Sequence, residues 1–219
     1  MLTAYAENNV ITKARRLFDE MTQLNTATWN AMITAYTRST CHINEVYELF
    51  CKVPERNVVT YAVTITRFFR VRMLNEVEKI YYEMPEIGRD LVVSNAMIKG
   101  YLKLGELDRA VFVFDSMVER NVISWSSILH GYCRNGKVSD AEVLFQKMPE
   151  NNVVSWTTMI SGYMKSGQWV KGLECFSKMR REEHVEVNPT TIMVILNTCT
   201  SLGNLKKVFR YMDWLFQMQ

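Results

Sequence analysis

The sequence predicts an all-α protein built from repeated helical hairpins that stack into a superhelix. Three observations support this prediction. Segments of the chain resemble one another at a step of 31 residues, each contains two stretches with the apolar spacing of a helix, and helix-breaking residues separate the stretches. A single hairpin of this kind cannot bury its own apolar face, so neighbouring hairpins must pack on one another.

Self-similarity along the chain sets the length of the repeat. Three segments align without gaps: NAMIKGYLKLGELDRAVFVFDSM from Asn95, SSILHGYCRNGKVSDAEVLFQKM from Ser126 and TTMISGYMKSGQWVKGLECFSKM from Thr157. Weaker copies are NAMITAYT from Asn30, AVTITRFF from Ala62 and MVILNTC from Met193. We therefore expect one array over residues 1–219, with a partial repeat at 1–25, complete repeats at 26–57, 58–90, 91–121, 122–152 and 153–188, and a partial repeat at 189–219.

Each repeat is predicted to form two helices, as the repeat from Val122 illustrates. Its first half carries an apolar stripe at helical spacing, made of Ile123, Trp125, Ile128, Leu129 and Tyr132. Asn135-Gly136 interrupts the helix, a second helix is expected over about 139–147, and Pro149 ends it. Small residues recur where helices must approach, at Ala4, Ala35, Gly100, Gly131 and Gly162 in the first helices and at Ala14, Ala110, Ala141 and Gly172 in the second. The recurrent Trp29, Trp125 and Trp156 are expected to pack in the core or between helices, with base stacking as the alternative.

Composition excludes several classes of protein. The net charge of +3 is too mild to indicate a partner by itself, and no apolar stretch reaches the roughly 18 residues of a membrane span. The five cysteines form no CxxC pair, so we expect reduced, mostly buried thiols, with no metal and no cofactor. An H-x-E fragment at 184–186 lacks the P-C-x-x-C partner of zinc deaminases. The sequence therefore predicts no enzyme and no catalytic residue.

Two segments carry a family resemblance. MVERNVISWSSILHGY at 117–132 and MPENNVVSWTTMISGY at 148–163 closely resemble plant pentatricopeptide repeats of the PLS class, and LFDEM at 17–21, LFQKM at 144–148 and CFSKM at 175–179 match the end of that family's second helix. The last repeat, from Pro189, resembles the L-type motif. The resemblance covers nearly the whole chain, and it implies a right-handed α-solenoid of helix-turn-helix units.

The same resemblance implies a function. Proteins of this family bind single-stranded RNA in organelles, and the PLS class is most often assigned to C-to-U RNA editing. We therefore expect a mitochondrial protein, or alternatively a chloroplast protein, that acts on a transcript together with processing factors in trans and not on a membrane. The N-terminal sequence does not look like a transit peptide. The first repeat starts within a helix, so we expect a fragment or a shortened member of the family.

The resemblance also implies which residues read bases. In this family the fifth residue of a repeat acts with its last residue. The implied pairs are Asn30 with Asn57, Ala62 with Asp90, Asn95 with Asn121, Ser126 with Asn152, and Thr157 with Asn188. By the family's pairing rules these repeats should prefer the bases Y-N-Y-A-A, with no discrimination where Ala62 stands. Met193, in the last repeat, lies outside the code.

The residue types fit base reading, although a second interpretation stays open. Amide and hydroxyl side chains match the hydrogen-bonding edges of bases, and the fifth position is Asn, Ser or Thr in four of the five complete repeats. These residue types are also favoured at helix N-termini, and the closing Asn is equally typical of a helix cap. The pattern alone does not separate these two interpretations.

Two further columns of residues recur. The second position is apolar at Ala27, Val59, Val92, Ile123 and Val154, and the stiff residues Val59, Val92, Ile123 and Val154 could sandwich a base or simply pack. The thirteenth position is basic at Arg38, Arg70, Lys103, Arg134 and Lys165. One cation per repeat could follow a phosphate backbone, or could form an ordinary solvated face.

Two expectations concern partners. The alternative function is a protein-binding α-solenoid scaffold, which the basic column and the polar fifth positions argue against. The ends of the array carry apolar residues, Leu17, Phe18 and Met21 at one end and Trp214, Leu215, Phe216 and Met218 at the other. Because an exposed apolar end is unfavourable in water, we expect the ends to fray and to self-associate, or to dock onto missing neighbouring repeats.

Overall fold

Asparagine side chains determine where the first helix of most repeats begins. The computed structural model describes residues 5, 10–38, 43–85, 91–182 and 185–201, apart from the side chains of 37, 38 and 198–201. In it, Asn152 Oδ1 accepts the backbone N–H of Ser155 at 2.9 Å, and the Asn152 N–H donates to Ser155 Oγ at 3.0 Å. This reciprocal capping box satisfies two backbone N–H groups that the helix end would otherwise leave unpaired. The same box joins Asn25 to Thr28, Asn57 to Thr60 and Asn121 to Ser124.

The regular secondary structure of the described residues is helical, with no strand among them. The helices are α1 Ile11–Glu20, α2 Thr26–Arg38, α3 Ile43–Lys52, α4 Val58–Arg70, α5 Leu74–Glu83, α6 Leu91–Leu104, α7 Leu107–Ser116, α8 Val122–Arg134, α9 Val138–Lys147, α10 Val153–Lys165, α11 Trp169–Arg181 and α12 Pro189–Ser201. The all-α prediction is confirmed. A first helix starts at each of the six residues where a repeat was expected to start.

The helices form two layers within each of two compact bodies, residues 1–119 and 120–219. In the N-terminal body the first helices α2, α4 and α6 pack in sequence, and in the C-terminal body α8, α10 and α12 do the same. Second helices pack against the first helix of their own repeat and that of the next, as α3 does with α2 and α4. Equivalent positions of successive first helices therefore lie on one surface of each body. A single array across both bodies stays a prediction.

The turn inside a repeat depends on a residue with left-handed backbone geometry. Gly136 has a φ of 72°, and it follows Asn135, at which α8 has just ended. Glycine adopts this geometry without steric cost, which explains the predicted break between the two helices. In the repeat from Val58 the corresponding residue is Arg72, with a φ of 61°, so that turn is strained relative to the others.

Aromatic side chains join neighbouring repeats within each body. Phe145 at the end of α9 meets Trp156 of α10 edge to face, with ring centroids 4.8 Å apart. Phe18 and Trp29 make the same contact at 4.9 Å, as expected for packing tryptophans. The expectation that Phe18 is exposed at the chain's first repeat is wrong: it is 4% exposed, because it points forward onto Trp29. Of the other residues expected at the ends, Leu17 and Met21 are half-buried and 214–218 lie outside the described residues.

Successive first helices approach closely at the predicted small residues. A Cβ at Gly100 in α6 would overlap the ring of Phe69 in α4, and a Cβ at Gly162 in α10 would lie 2.6 Å from Cys133 Sγ in α8. Both contacts require glycine, since real Cβ atoms do not come this close to a neighbour. The repeat from Val58 differs, because Arg67 occupies its equivalent position and is 3% exposed.

In each body, a cluster of tyrosine, glutamate and a cation joins one first helix to two successive second helices. In the N-terminal body Tyr101 Oη donates to Glu78 Oε1 at 3.0 Å, and Arg109 pairs with the same oxygen at 2.9 Å. Burial, together with the hydrogen bond to Glu78, raises the pKa of Tyr101 far above its usual value. The equivalent cluster in the C-terminal body consists of Tyr163, Glu142 and Lys171. We call these two sets the Tyr–Glu–cation clusters.

The first-helix contacts predict a difference between two glycines. Gly100→Ala should destabilise the protein by about 1–3 kcal/mol, since the new methyl group must displace the Phe69 ring. Gly172→Ala is the matched control: its Cβ would meet only the flexible end of Met164, at 3.0 Å. Thermal unfolding measures both, and equal melting temperatures for the two variants would contradict the close approach at Gly100.

The capping box predicts a second stability difference. Asn152→Ala should cost about 0.5–2 kcal/mol, because the Ser155 N–H loses its acceptor, whereas Asn152→Asp keeps a capping oxygen. Asn151→Ala provides the control, since its side chain makes only a 3.4 Å contact with Ser155. Urea unfolding without any ligand measures the free energy of unfolding of the three variants and so checks which of them loses stability. A loss for Asn151→Ala as large as that for Asn152→Ala would show that the cap is not responsible.

Candidate nucleic-acid interface

The first of the predicted pairs is in direct contact. Asn30 Nδ2 donates to Asn57 Oδ1 at 3.2 Å, so the fifth and the last residue of this repeat meet across neighbouring first helices. Thr60 Oγ1 donates to Asn30 Oδ1 at 2.7 Å and lies 3.0 Å from Asn57 Oδ1. Asn30 is 9% exposed. The three side chains form one network, in which Asn57 is both a helix cap and a partner of the fifth residue.

The last complete repeat brings its pair together through a bridging hydroxyl. Thr157 Oγ1 lies 2.7 Å from Thr191 Oγ1, which in turn lies 2.9 Å from Asn188 Oδ1. Asn188 also caps α12, because its Oδ1 accepts the Thr191 N–H at 2.8 Å. Thr60 and Thr191 occupy the third position of their repeats, and sequence analysis did not identify this role. The recurring N-x-x-S/T spacing was the signal that could have revealed it.

The remaining pairs are placed less completely. Ser126 is half-buried, and its Oγ has no hydrogen-bond partner among the described residues, while Asn152 caps the helix of the next repeat. Ala62 is half-buried and offers no hydrogen bond, and its partner Asp90 lies outside the described residues. Asn95 belongs to the N-terminal body and Asn121 to the C-terminal body, and both are half-buried.

The apolar second positions are exposed. Val59, Val92, Ile123 and Val154 have exposed fractions of 52%, 54%, 62% and 58%. An apolar side chain that is more than half exposed is not explained by core packing, which was the alternative interpretation of this column. Each is β-branched, so its side chain has little conformational freedom to lose on contact with a ligand. This column therefore presents one stiff apolar side chain to solvent on each of α4, α6, α8 and α10.

The basic thirteenth positions are exposed at the ends of the first helices. Arg70, Lys103, Arg134 and Lys165 lie in the last turn of α4, α6, α8 and α10. No carboxylate of the described residues forms an ion pair with any of these four side chains. The side chain of Arg38 lies outside the described part of the chain. The four described cations therefore keep their charge available to an anion.

Four kinds of predicted site residue meet in one pocket of the C-terminal body. This pocket has a volume of about 570 Å³. Its lining includes Val154 at the second position, Thr157 at the fifth, Asn188 as the last residue, and Arg134 and Lys165 at the thirteenth positions of two repeats. Stiff apolar, hydrogen-bonding and cationic groups therefore surround the same space. We call it the C-terminal pocket.

The positive charge of this pocket affects a neighbouring histidine. Partial burial of the ring, followed by the charges of Lys165 and Arg134, lowers the pKa of His130 below its usual value. His130 also lines the C-terminal pocket, and sequence analysis did not single it out. The two cations are thus close enough to act together on a group within the pocket.

Other kinds of site find little support in the described residues. None of their His, Cys, Asp and Glu side chains form a group of three that could hold a metal ion, and His184 lies outside them. Burial raises the pKa of the Cys133 thiol to about 11, as expected for a buried, unreactive cysteine, whereas Cys51 is exposed. The side chains of Cys41 and Cys199 are outside the described set. In the same part of the chain, no helix has the length and apolar character that crossing a membrane requires.

Comparison with known proteins identifies the repeat. The "PPR repeat" family matches residues 1–26, 27–58, 59–89, 92–122 and 116–149, and the "PPR repeat family" matches 151–201. A pentatricopeptide repeat-containing protein of Arabidopsis thaliana is 32% identical over 133 residues, which are 58% of this chain and 19% of that protein. A chloroplastic relative from the same plant is 24% identical over 223 residues, covering 99% of this chain and 22% of its own length.

Solved structures share the fold. The pentatricopeptide repeat protein PPR10 from maize is similar over 97% of this chain and 37% of its own, with a TM-score of 0.69 at 14% identity. PPR10 in complex with an 18-nt psaJ RNA element covers 99% of this chain and 33% of its own, with a TM-score of 0.72 at 20% identity. This chain spans about a fifth of the length of the relatives it matches. Since the family's repeats cover nearly every residue and its capped helical hairpins form the fold, the chain belongs to the pentatricopeptide repeat family.

Proposed function

We propose that this chain is a non-catalytic module that binds single-stranded RNA and reads about one base with each repeat. The observation that carries the proposal is the C-terminal pocket, whose lining combines Val154, Thr157, Asn188, Arg134 and Lys165. A nucleotide needs three kinds of partner: a flat apolar contact for the base face, hydrogen-bonding groups for the base edge and a cation for the phosphate. The pocket supplies all three.

The base edge would be read by the fifth and last residues. A short side chain held by a helix offers little freedom to adapt, so it discriminates between bases by hydrogen-bond geometry. In the last complete repeat, Thr157 and Asn188 are held in place through Thr191. Ser126 Oγ would gain a hydrogen-bond partner, which it lacks among the described residues. Ala62 can make no such bond, so its repeat should accept any base.

The base face and the phosphate would use the other two columns. Exposed Val59, Val92, Ile123 and Val154 could hold bases between the repeats, since burial of apolar surface on a base is favourable. The cations at the thirteenth positions would each neutralise one backbone phosphate, with no preference for sequence. Affinity would then depend mainly on the cations at the thirteenth positions, and base choice on the fifth and last residues.

The wider role is proposed from the relatives. PPR10 was solved with an RNA element, and relatives of this chain from Arabidopsis are labelled mitochondrial or chloroplastic. We propose an organellar RNA-binding protein of the PLS class, mitochondrial or alternatively chloroplastic, that positions a transcript for C-to-U editing or another processing step by factors in trans. A filter-binding assay with random single-stranded RNA and a protein competitor tests the binding. Binding to protein but not to RNA would favour the scaffold alternative.

The first prediction on binding concerns base preference. Selection from a random single-stranded RNA library should enrich Y-N-Y-A-A, read 5′ to 3′ along the repeats that begin at Thr26, Val58, Leu91, Val122 and Val153. Thr157→Asn with Asn188→Asp should move the last preference from A toward U, and Asp still provides an oxygen for the cap of α12. Substitution of Ala62 by Gly is the control, since neither side chain can read a base. Enrichment of an unrelated motif would contradict the assignment of the pairs.

The second prediction on binding separates affinity from specificity. Lys103→Ala should weaken the binding of all single-stranded RNAs alike and reduce the slope of log K against log salt by up to about 0.7, because one phosphate contact is lost. Ser126→Ala should relax base choice at one position and change the salt slope less. Lys79→Ala is the matched control, as Lys79 lies on a second helix beside Glu83. A change in base preference with an unchanged slope in Lys103→Ala would show that Lys103 is misassigned.

A further inference from the structure

A further column of residues lies between the fifth and thirteenth positions of the first helices. The ninth positions are Thr34, Thr66, Lys99, His130 and Ser161. Because residues four apart share a helix face, each ninth residue lies one turn from both the base-reading and the phosphate-binding positions proposed above. Thr34 and Thr66 bond to carbonyls of their own helices, each at 2.7 Å. The next two ninth residues, Lys99 and His130, can carry positive charge.

His130 occupies a distinctive place in this column. It is exposed on α8 between Ser126 and Arg134, and it lines the C-terminal pocket together with Thr157 and Lys165. None of the aspartates and glutamates that the structure describes lines this pocket. The other polar groups there are neutral hydroxyls and amides, together with the buried Cys133, whose thiol stays protonated near neutral pH. An imidazolium at this place would therefore face two cations and no carboxylate.

We propose that His130, in its protonated form, is a contact for the RNA backbone phosphate between the repeats that begin at Val122 and Val153. The inference rests on the proposed function, and it adds a proton to the binding reaction. A phosphate within reach of both Arg134 and Lys165 would be close to His130, since all three side chains line one pocket. An imidazolium donates a charge-assisted hydrogen bond to a phosphate oxygen, whereas a neutral imidazole adds no charge.

The electrostatics of the pocket support this linkage. Partial burial and the charges of Lys165 and Arg134 lower the pKa of His130 and so disfavour the imidazolium when no anion is bound. The second helix packed against α8, α9, adds no charge to these causes. A bound phosphate would offset both cations and would favour the imidazolium, which raises the pKa of His130 in the complex.

The direction of the pH effect follows from this change. The complex binds more protons than the free protein, so RNA affinity should rise as the pH falls through the pKa of the bound state. The gain in RNA affinity should be complete once the pH is below the pKa of His130 in the protein without RNA. Each unit by which RNA raises the pKa of His130 corresponds to about a tenfold decrease in Kd between the two limits.

The test measures the Kd of the full chain for a short fluorescent single-stranded RNA that contains CACAA, between about pH 8 and about pH 5.5. The wild type should bind more tightly at the lower pH. His130→Gln should lose this dependence, and His130→Lys, with a permanent charge, should bind tightly at both ends of the range. The control His42→Asn with His184→Asn removes the other two histidines and should keep the wild-type pH dependence. Circular dichroism checks that each variant is folded.

A direct measurement supplements the affinities. Proton NMR should show that the same RNA raises the pKa of the His130 imidazole, and that it does so less in Arg134→Gln. A pH dependence that survives in His130→Gln, or a pKa of His130 that RNA leaves unchanged, would overturn this inference while the proposed function stands. Failure of the folded wild type to bind single-stranded RNA at any of these pH values would overturn both.

Discussion

The hydrogen bond between an asparagine side chain and the start of a first helix is the interaction on which the candidate site depends. Once Asn57, Asn152 or Asn188 caps the helix that follows it, the first residue of that helix is determined. The second, fifth, ninth and thirteenth positions then follow from the helical period. A shift of one residue would turn each of these side chains by about 100° around the helix axis and remove it from the shared surface.

The same cap brings the capping residue into the site. An asparagine whose Oδ1 accepts the third residue's N–H is fixed in orientation, since the amide cannot flip without losing that bond. In the first complete repeat the acceptor is also shared with the fifth residue, Asn30. Capping therefore does not exclude the proposed base reading by the closing asparagine, because its Oδ1 can accept more than one hydrogen bond. The two were treated as alternatives because a sequence pattern does not show how many bonds one atom makes.

Sequence reasoning succeeded where a pattern recurs and failed where contacts are individual. The helix starts could be predicted because apolar spacing, caps and breaks repeat together. Exposure of Val59 and Val154 could not, since an apolar residue on a helix looks the same whether it faces the core or solvent. The burial of Phe18 was missed because its partner, Trp29, lies in the following repeat. Arg67 shows the reverse case: a charged residue replaces the expected small one and is nevertheless buried.

The two layers of each body differ in how their helices are joined, and this difference has a mechanical consequence. First helices touch through glycine against a ring or a thiol, a steric contact that is stiff in compression. Second helices are connected at the Tyr–Glu–cation clusters by long side chains, and part-exposed ion pairs of this kind contribute little energy and tolerate small changes in distance. Bending within a body should therefore pivot on the first-helix layer. The distance between successive first helices would stay constant, while the distance between successive second helices changes.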